Sequence, residues 1–277
     1  MIKHVLFSLS LLLMVLGFKT MIFEHIPWAF NAPEEDMSHG YLVPLVSLYV
    51  LYVEKDKIKA SLGEGSLWGL LAMLPALFLG FFGTRGSQLR FEEVGFIGLL
   101  LSLTWSFYGL KTVKRILFPS LYLLFCLPLA TFLDVITVHL RIFATSSAFA
   151  ILKGLGTEVV QQGTMIVSAT GDFAIDVANP CSGMRSIFAL LALSAAYAYF
   201  NQPTWVKRGV LFLSAIPLAI LGNVVRILTI VLVAAYADKN FATGFYHDYS
   251  GYVVFIVAIA LLLGIDKLLK EFGGEKK

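Results

Sequence analysis

The chain has 277 residues, a net charge of +3 and a mean hydropathy of +0.82, and 58% of its residues are hydrophobic. Only 14% are charged, whereas soluble domains average roughly 25%. This composition excludes a soluble enzyme and indicates an integral membrane protein. The Lys and Arg residues lie in short loops, which is typical of membrane topology and not of a nucleic-acid-binding surface. Two cysteines are too few for a disulfide framework.

Apolar stretches recur along the whole chain, and a membrane-spanning helix needs about 20 mostly apolar residues. Eight stretches are candidates: 4–23, 40–53, 66–83, 94–110, 116–133, 183–200, 209–237 and 250–266. The first is interpreted as a retained span, because no small-x-small cleavage site occurs before Lys19. The sequence predicts an all-α integral membrane protein with one membrane domain over residues 1–277.

The charged residues predict the orientation of these spans, since positive loops stay cytoplasmic. Alternate loops, starting with the N-terminus, carry Lys3, Lys55, Lys57, Lys59, Lys111, Lys114, Arg115, Lys207, Arg208, Lys267, Lys270, Lys276 and Lys277. The remaining loops carry Glu24, Glu34, Glu35, Asp36, Glu92, Glu93, Glu158, Asp172, Asp176, Asp238 and Asp248. Both sets agree with eight spans and with both termini inside.

This topology places residues 134–182 outside the membrane. A helix is predicted over 135–153, lying along the interface or packing on the bundle, with one face formed by Ile136, Leu140, Phe143, Ser147 and Ile151. Short β-like runs follow at 159–160, 165–167 and 173–177, separated by turn residues. They predict a small extracytoplasmic β-hairpin before the sixth helix.

Cys181 is the candidate nucleophile, because it stands where this polar segment meets the sixth span. A thiolate at a helix N-terminus is stabilised by the helix dipole. Pro180 fixes the course of the chain, Gly183 allows another backbone to approach, and Arg185 adds positive potential on the same helical face. The alternative is a structural cysteine near a helix start. Cys126, within an apolar run, is interpreted as a small buried hydrophobe.

Arg226 is the second candidate, because it lies inside the seventh span. A charge at the centre of a span costs about 2.5 kcal/mol or more, so it needs a partner or a function. Counted from Arg208 at 1.5 Å per residue, it lies roughly 27 Å along the helix, near the outer boundary. Asn223 shares its helical face. The alternative is an arginine that extends to the interface or pairs with an outer carboxylate.

His247 is the third candidate, because it precedes the last span on the outer side and histidine is the usual general base near neutral pH. The alternative is an interfacial histidine among tyrosines. His39, before the second span, competes for the base role or binds substrate. Cys, Arg and His at one membrane face indicate covalent acyl chemistry at the bilayer surface. No zinc motif, metal-ligand spacing or phosphate-binding loop occurs, so neither a metal nor a cofactor is predicted.

Three segments of the chain resemble the exosortase family, the membrane cysteine enzymes related to archaeosortases. They are Pro180-Cys181-Ser182-Gly183-Met184-Arg185, Asn223-Val224-Val225-Arg226-Ile227, and His247 with Gly251 four residues later. The early Ser38-His39-Gly40-Tyr41-Leu42-Val43-Pro44 segment is also similar to the family's N-terminal signature. The resemblance implies a protein-sorting protease or transpeptidase of the bacterial cytoplasmic (inner) membrane, with its site facing the periplasm.

The resemblance also implies the partners and the roles of the residues. The substrates are membrane-anchored precursors whose C-terminal sorting signal comprises a short Pro-Glu-Pro-like motif, a transmembrane helix and a basic tail. Cys181 is expected to attack, His247 to transfer the proton and Arg226 to stabilise the oxyanion. Asn223, Arg185, His39, Ser182 and Gly183 are expected to support the site or bind substrate. Membrane lipid and an unidentified acceptor nucleophile complete the expected partners.

Two other classes of function remain open from the sequence. A transporter or exopolysaccharide-export component would use Arg226 in a polar pathway across the bilayer, although the candidate groups gather in its outer third. A scaffold subunit of an envelope assembly would be unaffected by Cys181→Ser.

Overall fold

The chain is mostly helical in its computed structural model, as expected for an all-α membrane protein. The structure describes residues 2–31, 37–127, 134–176 and 184–272. These residues form two compact units, Met1–Leu129 and Ala130–Lys277. The organisation of the whole chain as one membrane domain stays a prediction.

In the described residues, the first unit has seven α-helices. They are α1 (Ile2–Gly17), α2 (Ile26–Asn31), α3 (Leu42–Val53), α4 (Lys55–Ala60), α5 (Leu67–Arg85), α6 (Leu89–Tyr108) and α7 (Leu110–Tyr122). A π-helical turn (Met21–His25) precedes α2, and 3-10 turns precede α3 (Ser38–Tyr41) and follow α7 (Leu123–Cys126). Ser66 caps α5 by accepting a hydrogen bond from the Trp68 amide at 3.3 Å.

Helices α5 and α6 pack backbone to backbone through glycines. A Cβ atom on Gly95 would lie 2.5 Å from the Gly80 nitrogen, and one on Gly69 would lie 2.4 Å from the Ser106 nitrogen. Such small residues allow membrane helices to gain close packing where no hydrophobic force drives them together. The glycines of α5 and α6 therefore set the spacing of this pair.

Glu92 and Glu93 lie inside α6, although the sequence analysis placed them in an outer loop. Both are buried, and the Glu92 carboxylate lies 2.8 Å from Nδ1 of His25. Glu92 is buried because α5 packs directly against this turn of α6. A Cβ atom on Gly83 of α5 would lie 2.5 Å from the Glu92 nitrogen. The first turn of α6 is therefore covered by protein.

The second unit, where the structure describes it, combines five α-helices with one small sheet. The helices are α8 (Asp134–Gly154), α9 (Met184–Asn201), α10 (Trp205–Tyr236), α11 (Lys239–Phe241) and α12 (His247–Phe272). The strands are β1 (Val159–Gln162), β2 (Met165–Ser168) and β3 (Ala174–Asp176), and a π-helical turn (Ala242–Tyr246) precedes α12. Thr204 caps α10 through the Lys207 amide at 3.3 Å.

The sheet is antiparallel in the order β1-β2-β3, with Val160 opposite Val167 and Ile166 opposite Ile175. The expected hairpin therefore carries a third strand. One face of the sheet is apolar and packs in a single buried cluster with α8 and α10: Ala144, Ala148, Leu152, Val159, Ile166, Phe173, Ile175, Val224, Ile227, Ile230 and Val231. This packing fixes the sheet against the C-terminal half of α10.

Helix α8 packs on the bundle, one of the two arrangements expected for it, but through a different face from the one that the sequence analysis named. Ala144, Ala148 and Leu152 are buried, whereas Phe143 and Ile151 of the expected face are 58% and 46% exposed. Small side chains allow α8 to approach α10 and the sheet closely, and the larger ones then point away. The apolar pattern alone does not distinguish a protein-facing side from a lipid-facing side.

A carboxylate network joins three helices at the other end of α10. Asp266 of α12 accepts hydrogen bonds from the Tyr197 hydroxyl at 2.9 Å, the Gln202 amide at 2.5 Å and the Lys270 ammonium at 2.7 Å. Nε of Arg208 donates to the Gln202 carbonyl at 2.7 Å. Helices α9, α10 and α12 are therefore tied together about 18 residues, or roughly 27 Å, from Arg226 along α10.

Among the described residues, three helical segments are long and apolar enough to cross a membrane: Leu67–Arg85, Trp205–Tyr236 and Tyr249–Glu271. Ile2–Gly17 and Met21–Asn31, bent by 56°, together make a fourth candidate. The eight-span topology stays a prediction.

Candidate active site

The structure describes the chain on both sides of the expected nucleophile. Cys181, Ser182 and Gly183 lie outside the described residues. On one side, Phe173 and Ile175 belong to the same buried cluster as Ile227 and Ile230 of α10. The sheet therefore brings the chain to the part of α10 that follows Arg226.

Helix α9 provides the other side of this segment. It begins at Met184 and ends at Asn201, three residues before the cap of α10. Because two antiparallel helices rise equally per residue, the first turn of α9 is level with about residue 222 of α10. Arg185 lies in that first turn, although its side chain is outside the described part. Both described ends of the segment thus lie within about two helical turns of Arg226 along α10.

Arg226 is half-buried on α10 and is held against α12. Its Nε donates to the Ser250 hydroxyl at 3.1 Å, and Ser250 itself is buried. A Cβ atom on Gly251 would lie 3.4 Å from the guanidinium carbon of Arg226. The guanidinium therefore rests on the bare backbone of α12, and these contacts fix the place of its planar group.

Asn223 lies on α10 one turn before Arg226 and is buried. This agrees with the expected sharing of one helical face by the two residues. Its role as a supporting residue stays a prediction.

His247 is the first residue of α12, and its side chain is outside the described part. Ser250 and Gly251 follow three and four residues later, so the three positions share one face of the helix. The backbone therefore places His247 one turn from the contact between Arg226 and α12. Two of the three expected catalytic residues, Arg226 and His247, therefore lie near the same part of α12.

His39 belongs to the first unit, in the 3-10 turn Ser38–Tyr41 before α3. The neighbouring Gly40 packs against Phe30 so closely that a Cβ atom there would lie 2.3 Å from the ring. The turn is thus fixed within its own unit. A role for His39 in catalysis or substrate binding stays a prediction.

Ser250 is a site residue that the sequence analysis missed. Its contact with Arg226 joins two different helices, so no local sequence pattern predicts that contact. The sequence does show that Ser250 lies one helical turn after His247, on the same face of the helix.

A metal site is not found in the part of the chain that the structure describes, since no three His, Cys, Asp or Glu side chains gather there. The Arg226 guanidinium is instead a fixed cationic donor at the edge of an apolar region. Such a donor is suited to stabilising negative charge that develops on an oxygen atom.

Comparison with known proteins adds one match. The family model described as "Transmembrane exosortase" matches residues 28–264, which include the sheet, Arg226 and His247. No curated protein and no solved structure matches the chain.

Proposed function

The chain belongs to the transmembrane exosortase family, and from that premise we propose that it is a membrane-embedded cysteine protease or transpeptidase. The family is one of membrane protein-sorting enzymes that process substrates bearing sorting signals. The proposed reaction is cleavage of a C-terminal signal of the Pro-Glu-Pro type. It takes place at the outer face of the bacterial cytoplasmic membrane.

The observation that carries the proposal is the position of Arg226. Its guanidinium is held by Ser250 and rests on Gly251, one helical turn from His247. A cation at membrane depth is costly, and a cation held by fixed contacts is suited to stabilising an oxyanion. The two described ends of the chain around Cys181 approach the same part of α10.

The proposed chemistry begins when His247 takes the proton of the Cys181 thiol and leaves a thiolate. Its sulfur forms a bond to the scissile carbonyl carbon, and the carbonyl electron pair moves to oxygen, where Arg226 stabilises the negative charge. When this intermediate collapses, the C–N bond breaks and His247 delivers a proton to the leaving amine. Water or an acceptor amine then attacks the thioester, gives its proton to His247 and releases the thiolate.

The other expected site residues have supporting roles in this proposal. Asn223, one turn from Arg226, orients the guanidinium or the substrate. Arg185, in the first turn of α9, adds positive potential that favours the thiolate. Ser182 and Gly183 shape the chain beside the nucleophile, and His39 contributes to substrate binding.

A sorting reporter tests the proposal. A host without the enzyme produces a reporter that ends in a Pro-Glu-Pro motif, a transmembrane helix and a basic tail, together with wild type, Cys181→Ala or Cys126→Ala. Cys126 is the matched control because it is a buried cysteine of the first unit. We expect wild type and Cys126→Ala to shorten the reporter and Cys181→Ala to leave it intact.

The mass of the shortened reporter gives the cleaved bond and distinguishes a free carboxyl terminus from one joined to an acceptor. Equal processing by wild type and Cys181→Ala would exclude Cys181 as the nucleophile.

A further inference from the structure

A groove of about 390 Å³ runs between α10 and α12 on the outside of the second unit. Its walls include Leu221, Val225 and Thr229 of α10 and Val253, Val257 and Leu261 of α12. These positions recur every four residues, so each helix contributes one row of side chains. Among the described residues, those that line the groove are all uncharged.

The floor of the groove lies where the two helices touch. A Cβ atom on Gly222 would lie 2.7 Å from Cγ1 of Val254, so the missing side chain allows α12 to approach there. The side chains on either side of this helix contact point outward, and Leu221 is 59% and Val257 52% exposed. The result is a concave, ridged surface and not a flat lipid-facing one.

One end of the groove reaches the candidate active site. Ser250, which accepts the hydrogen bond from Arg226, lines this end, as do Tyr246 and Tyr249. The rings of Phe245 and Tyr249 stack there with centroids 4.4 Å apart. Tyrosine and other aromatic rings are typical of the membrane–water boundary. The groove is therefore apolar along its length, and one end has aromatic rings and the Ser250 hydroxyl that binds Arg226.

We propose that this groove binds the transmembrane helix of the substrate, a proposal that rests on the function proposed above. The lining of α12 from Tyr249 to Leu261 extends roughly 18 Å, more than half of the roughly 30 Å hydrocarbon thickness. Two rows of side chains at helical spacing match the ridges of a third helix. The tyrosines at one end of the groove are typical of the membrane–water boundary, where a spanning helix ends. An apolar helix that ends at this boundary satisfies both features.

The proposal has a consequence for the cleaved bond. A helix lying in the groove would deliver its outer end beside Ser250 and Arg226. The scissile bond is then expected within a few residues of that end, and the position of the helix selects the bond.

Filling the groove tests the proposal. Leu221→Trp and Val257→Trp place large side chains in it away from Arg226, whereas Ile256→Trp changes a neighbouring residue that is 65% exposed outside the lining. We expect both groove variants to process the helix-anchored reporter at least about tenfold less efficiently, since losing 1.4 kcal/mol of contact is already a tenfold loss. Ile256→Trp should process it as wild type does. Equal processing by all three variants overturns the proposal.

Crosslinking separates this proposal from the catalytic one. In full-length Cys181→Ala in membranes, an amino acid with a small alkyl diazirine side chain, which does not fill the groove, replaces either Val257 or Ile256, and the reporter is coexpressed. We expect light to produce an enzyme–reporter adduct from position 257 and much less from position 256. No protein adduct from position 257 indicates that lipid fills the groove and overturns the proposal. This readout requires no turnover, so a failure of Cys181 chemistry is seen separately in the reporter assay.

Discussion

At the residue scale, Arg226 shows how fixed contacts offset the free-energy cost of placing a charge in a membrane span. A charged side chain at the centre of a membrane span costs about 2.5 kcal/mol or more. Here a buried serine fixes the guanidinium from one side, and the absence of a side chain at Gly251 gives it a flat surface. A hydrogen bond to a charged group contributes about 1.5 to 3 kcal/mol. The same contacts that offset the cost also determine where the cation lies.

The size of residue 251 is therefore expected to control activity. A Cβ atom there would make ordinary contact with the guanidinium at 3.4 Å, so Gly251→Ala should retain most reporter processing. Gly251→Val would push the guanidinium away from Ser250, and a displacement near 1 Å can cost about 100-fold in rate. The measurement is the initial rate of reporter processing per folded enzyme.

Gly264 provides the control on the same helix, because a Cβ atom there would have no neighbour within 4 Å. Gly264→Val should process the reporter as wild type does. An active Gly251→Val enzyme would show that the position of Arg226 is not needed for the reaction.

At the element scale, several helices follow directly from the sequence. The stretches 66–83 and 183–200 correspond to α5 and α9 within two residues at each end. Helix α8 and the three strands also lie where the local patterns predicted them. Apolar length and turn residues are local properties, and they determine where an element begins and ends.

The faces of these elements were less predictable. The buried side of α8 and the covered position of Glu92 depend on which helix approaches and how closely. Within the site, the shared face of Asn223 and Arg226 followed from helical spacing. The contact of Arg226 with Ser250 did not, because it joins residues that are 24 positions apart.

The spacing of α5 and α6 is expected to depend on Gly95. In Gly95→Ala, the new Cβ atom would lie 2.5 Å from the Gly80 backbone, which forces the helices apart. Overpacking of this kind lowers the free energy of unfolding by about 1 to 3 kcal/mol. The melting temperature of the purified variant in detergent should therefore fall below that of wild type.

Gly17→Ala is the matched change, because Gly17 also lies in a helix of the first unit and has no neighbour within 4 Å of a built Cβ. Alanine is the better helix former, so this variant should melt at or above the temperature of wild type. Equal melting of Gly95→Ala and wild type would mean that α5 and α6 are less closely packed than described.

At the scale of the whole molecule, the charges predict that the sheet and the segment containing α4 lie on opposite sides of the membrane. Short Lys- and Arg-rich segments stay cytoplasmic. Single cysteines are introduced as Gln162→Cys or Lys57→Cys into the Cys126→Ala, Cys181→Ala background; residues 162 and 57 are both exposed. A membrane-impermeant maleimide should label position 162 in cells whose outer barrier has been opened, and position 57 only after the cytoplasmic membrane is permeabilised. The reverse pattern would invert the topology.

The network around Asp266 has a mechanical consequence. One buried carboxylate ties α9 to α12, and Arg208 joins α10 to the same group through Gln202. The far end of the same helices has the π-helical turn Ala242–Tyr246, with a non-helical backbone at Gly244. If α10 and α12 separate sideways to admit a partner, the tied end acts as the pivot and the other end moves. The membrane can then stay sealed against ions on the tied side while the opposite side opens towards the lipid.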